Sequence, residues 1–174
     1  LGRTRGPRQE HVGPREEGLL SADDLALHLQ SLLAEFEDTP VALALPQHLA
    51  LTQVIDLPKE SGLQVRRSIE EQTVNLSGLS ESAIVYDFAQ LKPYGKHLCP
   101  FWVTLSQEAE ILAQLKRLAL ADQHVCEITT TANALISAFT SLQMESRPRI
   151  LLDLGAMNTV AVVMLEGQGV FAFS

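Results

Sequence analysis

The sequence predicts an α/β chain in which a compact βαββαβ module interrupts a larger sheet domain. Three observations carry that reading. Residues 51–129 follow one another as strand, helix, strand, strand, helix, strand, judged by hydrophobic period and by Pro, Gly and Ser breakers. Pieces of a different unit flank them, a helix and strand at 21–45 and a helix with a hairpin at 131–173. The composition, 46% hydrophobic and 20% charged over 174 residues, supports a buried core and excludes a mostly disordered chain.

Residues 1–18 carry Arg3, Arg5, Arg8 and Arg15 among glycines and prolines, with no apolar period, and read as a flexible loop or tail. Ser21 opens a helix with Asp24 in a capping-box position, and Leu25, Leu29, Leu32, Leu33 and Phe36 share one face. Asp38, Thr39 and Pro40 end it. Val41 to Leu45 and Leu51 to Leu57 are short strands stopped by Pro46 and Pro58. Ser61 to about Leu76 is helical, with a thin apolar face of Leu63, Ile69 and Val74 and exposed i,i+4 pairs among Arg66, Arg67, Glu70 and Glu71.

In 83–91, Ile84, Tyr86 and Phe88 alternate with Val85, Asp87 and Ala89, which predicts a strand, and Phe101 to Leu105 predicts its neighbour. Ser106 is expected to cap a helix reaching about Ala121, with Ile111, Leu112, Leu115, Leu118 and Ala119 inward. A strand at His124 to Thr129 and a helix from Thr131 to about Leu142 follow, the latter using Ala134, Leu135, Ala138 and Phe139. Trp102 and Tyr86 read as core residues, Tyr94 as surface. The 51–129 order is that of a split βαβ, ferredoxin-like unit with four strands in one sheet.

The stretch Ile150 to Thr159 carries the chemistry worth weighing. It reads as a strand, a tight turn and a second strand, with an acid and a glycine where the first strand ends. Small turn residues let backbone amides approach an anion, and Asp153 would hold magnesium directly or through water. An ordinary hairpin whose Asp153 only caps the turn is the alternative. Val160 to Leu165 is the returning strand, and Glu166-Gly167-Gln168-Gly169 turns into a last strand, Val170 to Phe173. That hairpin is expected to stand exposed at its edge, to pair with another copy, or to add to the module's sheet.

Other chemistry is thin. No metal-ligand spacing occurs, and the five histidines are scattered. Cys99 and Cys126 imply no disulfide framework and read as reduced, buried thiols. A net charge of −8 disfavours nucleic acid as a partner. No apolar run approaches the roughly 20 residues of a membrane helix, and the polar N-terminus lacks a secretory signal, so a cytoplasmic protein is expected.

Three stretches resemble the PilM family, actin-like cytoplasmic components of type IV pilus assembly related to FtsA and to the cytoplasmic part of the type II secretion protein GspL. They are Val41 to Pro46 followed by Thr52 to Pro58; Glu70 and Glu71 with Val85-Tyr86-Asp87-Phe88; and Asp153-Leu154-Gly155-Ala156 with Thr159. The resemblance spans about residues 20–174. It implies a partial actin-like (ribonuclease H-like) domain with the ferredoxin-like module inserted. Residues 19–48 would belong to subdomain 1A, 49–129 to the inserted 1C, 130–148 to a return helix of 1A, and 149–174 to the start of 2A.

By the same resemblance Asp153 would serve the magnesium-water cluster, and Gly155, Asn158 and Thr159 would contact the β and γ phosphates of ATP. Asn158 departs from the small or hydroxyl residue of the pattern. A first phosphate loop does not precede residue 20, and the adenosine segment would lie beyond 174. ATP and magnesium are therefore expected in a full-length parent and not in this fragment alone.

The implied function is a scaffold, with no catalytic residue assigned. It would recruit the cytoplasmic tail of a PilN-like inner-membrane protein into a groove walled around Leu45 to Leu51 and Ile128 to Asn133, with nucleotide as a conformational ligand. Such a protein would sit at the inner face of the inner membrane through that partner, and self-association is open. The alternatives are an ATP-dependent enzyme of the actin-like superfamily and a type II secretion or other ferredoxin-like interaction module without nucleotide. The enzyme needs a base near the γ phosphate, and no nucleophile–base–orienter set assembles from these residues.

Overall fold

The computed structural model describes residues 22–35, 40–58, 62–78, 83–120, 125–142, 147–155 and 158–174. The arginine-rich segment 1–18 and the capping Ser21 lie outside the described residues. Every strand and helix expected from the sequence has a counterpart. They run α1 (Ala22–Glu35), β1 (Val41–Leu45), a 3-10 turn (Gln47–Leu49), β2 (Ala50–Asp56), α2 (Gly62–Ser77), β3 (Ile84–Gln90) and β4 (Pro100–Gln107). Then come α3 (Glu108–Arg117), β5 (Val125–Thr130), α4 (Thr131–Ser141), β6 (Arg149–Leu154), β7 (Thr159–Leu165) and β8 (Gln168–Phe173).

The strands form three small sheets: β1-β5 parallel, β2-β4-β3 antiparallel and β6-β7-β8 antiparallel. The expected four-stranded ferredoxin-like sheet is therefore not formed. Its first three strands take the order of a split βαβ unit, but β5 pairs with β1, Leu43 opposite Ile128 and Leu45 opposite Thr130. One physical reason is visible: β5 passes into α4 without a loop, Thr130 ending the strand and capping the helix, so the seat of α4 fixes that of β5.

Two hydrophobic clusters sit on opposite faces of β2-β4-β3. On one, α2 buries Val65 and Ile69 against Ile55, Leu57, Phe101 and Val103, with Tyr86 and Phe88 at the margin. The expected alternation of β3 is thus observed, while the inward face of α2 is corrected: Val65, Ile69 and Thr73 are buried and Leu63 is 88% exposed. The i,i+4 pair is present as Arg67–Glu71 at 3.1 Å. On the other face Trp102 packs with Ala132 and Phe139 of α4 and with Val160, Val162, Met164 and Ala172 of the third sheet.

The third sheet leaves its far face open. Ile150, Leu152 and Leu154 of β6 and Phe171 and Phe173 of β8 are all more than half exposed. Register puts them on one face, Ile150 opposite Val163 and Val163 opposite Phe171. Two glycines serve the fold here. A Cβ on Gly169 would run into the Ile136 side chain beside Trp102, so its absence lets β8 approach α4. Gly167, at φ +79, joins Glu166 at φ +51 in a two-residue hairpin turn.

Three further expectations are corrected. Ser106 stays in β4, where its hydroxyl donates to the Leu49 carbonyl at 2.8 Å, and Gln107 precedes α3 without a side-chain cap. α3 stops at Arg117 rather than about Ala121 and buries none of its residues. Its end is a left-handed reversal: Ala119 has φ +50, and the Leu120 and Ala119 amides donate to the Leu115 and Lys116 carbonyls, a Schellman closure. The cysteines are not buried, Cys99 being half-buried and Cys126 exposed, and both are free. Among the described residues no helix is long and apolar enough to cross a membrane.

Candidate functional site

A groove of about 490 Å³ separates the β2-β4-β3 sheet from the β1-β5 sheet and α4. β3 supplies one wall. The residues that alternate away from the α2 core, Val85, Asp87 and Ala89, face the groove, and their partners across β4 are Ser106, Thr104 and Trp102. β5 supplies the other wall with Glu127, Ile128, Thr129 and Thr130, and α4 adds Asn133 and Ile136. Both walls are edge strands among the described residues, where β3 pairs only with β4 and β5 only with β1. Backbone groups on such edges are ready to pair with an added strand.

The floor is held by a chain of side-chain hydrogen bonds that ties the two sheets together. Trp102 Nε1 donates to Asn133 Oδ1 at 2.8 Å, and Asn133 Nδ2 reaches Thr104 Oγ1 at 3.4 Å. Thr104 meets Thr52 at 3.4 Å, and Thr52 Oγ1 accepts from Gln47 Nε2 at 3.0 Å. Gln47 Oε1 then accepts from the Ala132 amide at 3.1 Å. That amide is one of the orphan donors at the start of α4, and Thr130 Oγ1 satisfies another from Asn133 at 3.3 Å. The Thr131 hydroxyl donates to the Leu45 carbonyl at 3.1 Å. Every member satisfies another, which is what permits buried polar groups here at all.

Of the groove walls expected from sequence, Leu45, Ile128, Thr129, Thr130 and Asn133 do line this space. Gln47 to Leu51 instead line a separate shallow recess with Leu105 to Gln107 and Ser174. Sequence reasoning missed the β3 wall. The alternation in 83–91 marked Val85, Asp87 and Ala89 as one face, but nothing local said that this face meets β5.

The hairpin residues Asp153, Gly155, Asn158 and Thr159 gather around the β6–β7 turn. Leu154 pairs with Thr159, Asp153 with Val160, and the Gly155 amide donates to the Asn158 carbonyl at 3.0 Å. A Cβ on Gly155 would stand 2.8 Å from that carbonyl oxygen, so the closed turn requires glycine. Asp153, Gly155, Asn158 and Thr159 are all exposed. Asn158 Nδ2 lies 3.3 Å from His48 Nδ1, which brings the turn to the 3-10 turn after β1. Among the described residues no group of three or more His, Cys, Asp or Glu side chains could hold a metal.

Tyr94, expected at the surface, is half-buried. It stacks on His97 at 4.9 Å, and His97 Nδ1 lies 3.8 Å from Asp56 Oδ2. Burial, and then the Asp56 charge, push the Tyr94 phenol above its ordinary value of 10.0. Asp56 Oδ1 also accepts from the Cys99 amide at 2.9 Å, which pins the 91–99 connection to the end of β2.

No protein-family model and no curated protein matches the chain. Solved structures do. The chain superposes on a protein of the PilM–PilN type IV pilus biogenesis complex with TM-score 0.67 and 20% identity, covering 92% of this chain and 52% of that one. It also superposes on the cytoplasmic domain of EpsL, an inner-membrane component of the type II secretion system of Vibrio cholerae. There the TM-score is 0.58 with 11% identity, over 87% of this chain and 56% of that one. The mixed α/β fold is therefore shared with these two structures, in line with the resemblance read from the sequence. The chain spans about half the length of these structures.

Proposed function

We propose that this chain is the docking part of an actin-like scaffold in type IV pilus or type II secretion assembly. Its groove between β3 and β5 would take the extended cytoplasmic tail of a PilN-like inner-membrane protein, which would hold the scaffold at the inner face of that membrane. One observation carries the reading: two edge strands face each other across a half-open groove, in a fold shared with a protein of a PilM–PilN complex. Edge strands give an extended segment backbone partners, and the lining side chains give it selectivity.

In this reading the inserted subdomain 1C, expected over 49–129, is carried by β2, α2, β3, β4 and α3, while β5 joins the 1A pieces at 19–48 and 130–148, and 149–174 opens 2A. The hairpin turn is one side of a nucleotide cleft. Asp153 would meet hydrated magnesium, and Gly155, Asn158 and Thr159 would face the phosphates of ATP in a longer parent. The exposure of Asp153 and the glycine-dependent turn support this assignment. Nucleotide would bias conformation, and no residue here is assigned to hydrolysis.

The single tryptophan, Trp102, lies under the groove and reports on it. Tail peptides of PilN-type proteins should change its fluorescence saturably, and Ile128→Arg, which fills the groove from an exposed position, should abolish that change. A folded Ile128→Arg variant that binds as the parent does would refute the docking reading. Calorimetric Mg-ATP titration of the longer parent, with Asp153→Ala beside it, tests the nucleotide role. Binding indifferent to that substitution would remove Asp153 from it.

A further inference from the structure

We infer that the groove selects an extended segment bearing a basic residue, Lys or Arg, with apolar residues two positions before and after it. The inference rests on the docking reading and adds the chemistry of the occupant. Its first support is charge: among the described residues the lining includes two carboxylates, Asp87 on β3 and Glu127 on β5, and no Lys, Arg or His. Both acids are exposed, and neither meets a cation among the described residues. Among the described residues Asp87 makes a local contact, its Oδ1 accepting from the Phe88 amide at 2.8 Å. Each therefore has acceptor capacity left for an incoming donor.

The second support is register. Side chains of a strand alternate between faces, so a segment added along the β3 edge would point every second residue into the groove. Those residues would come to rest beside Val85, Asp87 and Ala89 in turn. Val85 at 47% exposure and the Ala89–Leu91 end near Trp102 present apolar surface, with the acid between them. Directly opposed unlike charges and apolar pairs are the favourable cross-strand combinations, and an acid opposite Asp87 would be repelled. Ile128 on the far wall, 40% exposed, adds apolar surface to the same space. A half-enclosed groove screens a charge pair less than open water does, and the net charge of −8 steers cations toward the chain.

The test uses three fluorescent peptides that differ at one position: Leu-Thr-Lys-Thr-Leu, the same with norleucine for Lys, and the same with Glu. Fluorescence anisotropy against the full chain should rank them Lys, norleucine, Glu. The Lys peptide should bind about five- to tenfold tighter than the norleucine one at low salt, with the gap closing as salt rises. The double variant Asp87→Asn, Glu127→Gln alters only exposed side chains and should bind the Lys and norleucine peptides alike. Equal binding of those two by the parent chain would overturn the charge inference and leave docking standing. A Lys preference that persists in the double variant would overturn it too. Binding of none of the three would remove the docking reading and this inference together.

Discussion

Replacing Gln47 by methionine tests whether one side chain couples α4 to the strand–turn–strand segment beside the groove. Methionine keeps the length and volume of glutamine but removes both its donor and its acceptor, so no cavity enters the comparison. Gln47 is 5% exposed. Its amide makes a good hydrogen bond to Thr52 at 3.0 Å, a longer one to the Ala50 carbonyl at 3.4 Å, and accepts from Ala132 at 3.1 Å. Ala132 is fully buried, so its amide would find no substitute in water. An orphaned buried donor costs about 1–3 kcal/mol, and the bond to Thr52 contributes about 1 kcal/mol more. The gain from burying a thioether offsets part of this. The expected loss is about 2–3 kcal/mol in urea unfolding followed by circular dichroism, with an unchanged m value. A double-mutant cycle with Thr52→Val should show coupling of about 1 kcal/mol, because the two residues share one bond. A loss below about 0.5 kcal/mol with the m value preserved would refute the argument that these bonds hold the seam.

Three other perturbations follow from the backbone, the phenol and the open sheet face. Ala119 and Glu166 occupy left-handed positions at φ +50 and +51, so Ala119→Gly and Glu166→Gly should each stabilise by about 0.5–1 kcal/mol, read as a raised urea midpoint. Destabilisation by either would contradict the backbone assignment there. The Tyr94 phenol is raised by burial and by Asp56, so the folded state favours its neutral form. Its contribution to stability is complete below the unfolded value of 10.0 and is lost as pH rises from there through the folded value. In a Tyr86→Phe background, absorbance titration at alkaline pH should show Tyr94 ionising above 10.0, and Asp56→Asn should bring it part of the way back. An unmoved midpoint would remove Asp56 as a cause. Finally, Leu152→Lys, at 58% exposure on the open face of β6, should lower concentration-dependent self-association seen by light scattering, with little effect on folding. Unchanged association would show that this face is not what brings copies together.

Periodicity and breakers settled the elements, because a strand such as 84–90 or a helix such as 131–141 declares itself within its own residues. The β6–β7 turn was equally legible, since its close N–H to carbonyl contact depends on a glycine that the sequence shows. The resemblance carried the fold further, to an architecture that the superpositions share. Pairing lay beyond local reach. That β5 leaves the module for β1 depends on α4 seating itself over the third sheet, which joins residues far apart in the chain. Capping failed at Ser106 for the same reason: its hydroxyl has a better partner in Leu49, 57 residues away, than in the helix beside it. The groove is the clearest instance. Val85, Asp87 and Ala89 could be read as one face of a strand, but only the tertiary structure turns that face toward Glu127 and Ile128. A period of two tells which residues point together and is silent about what they point at.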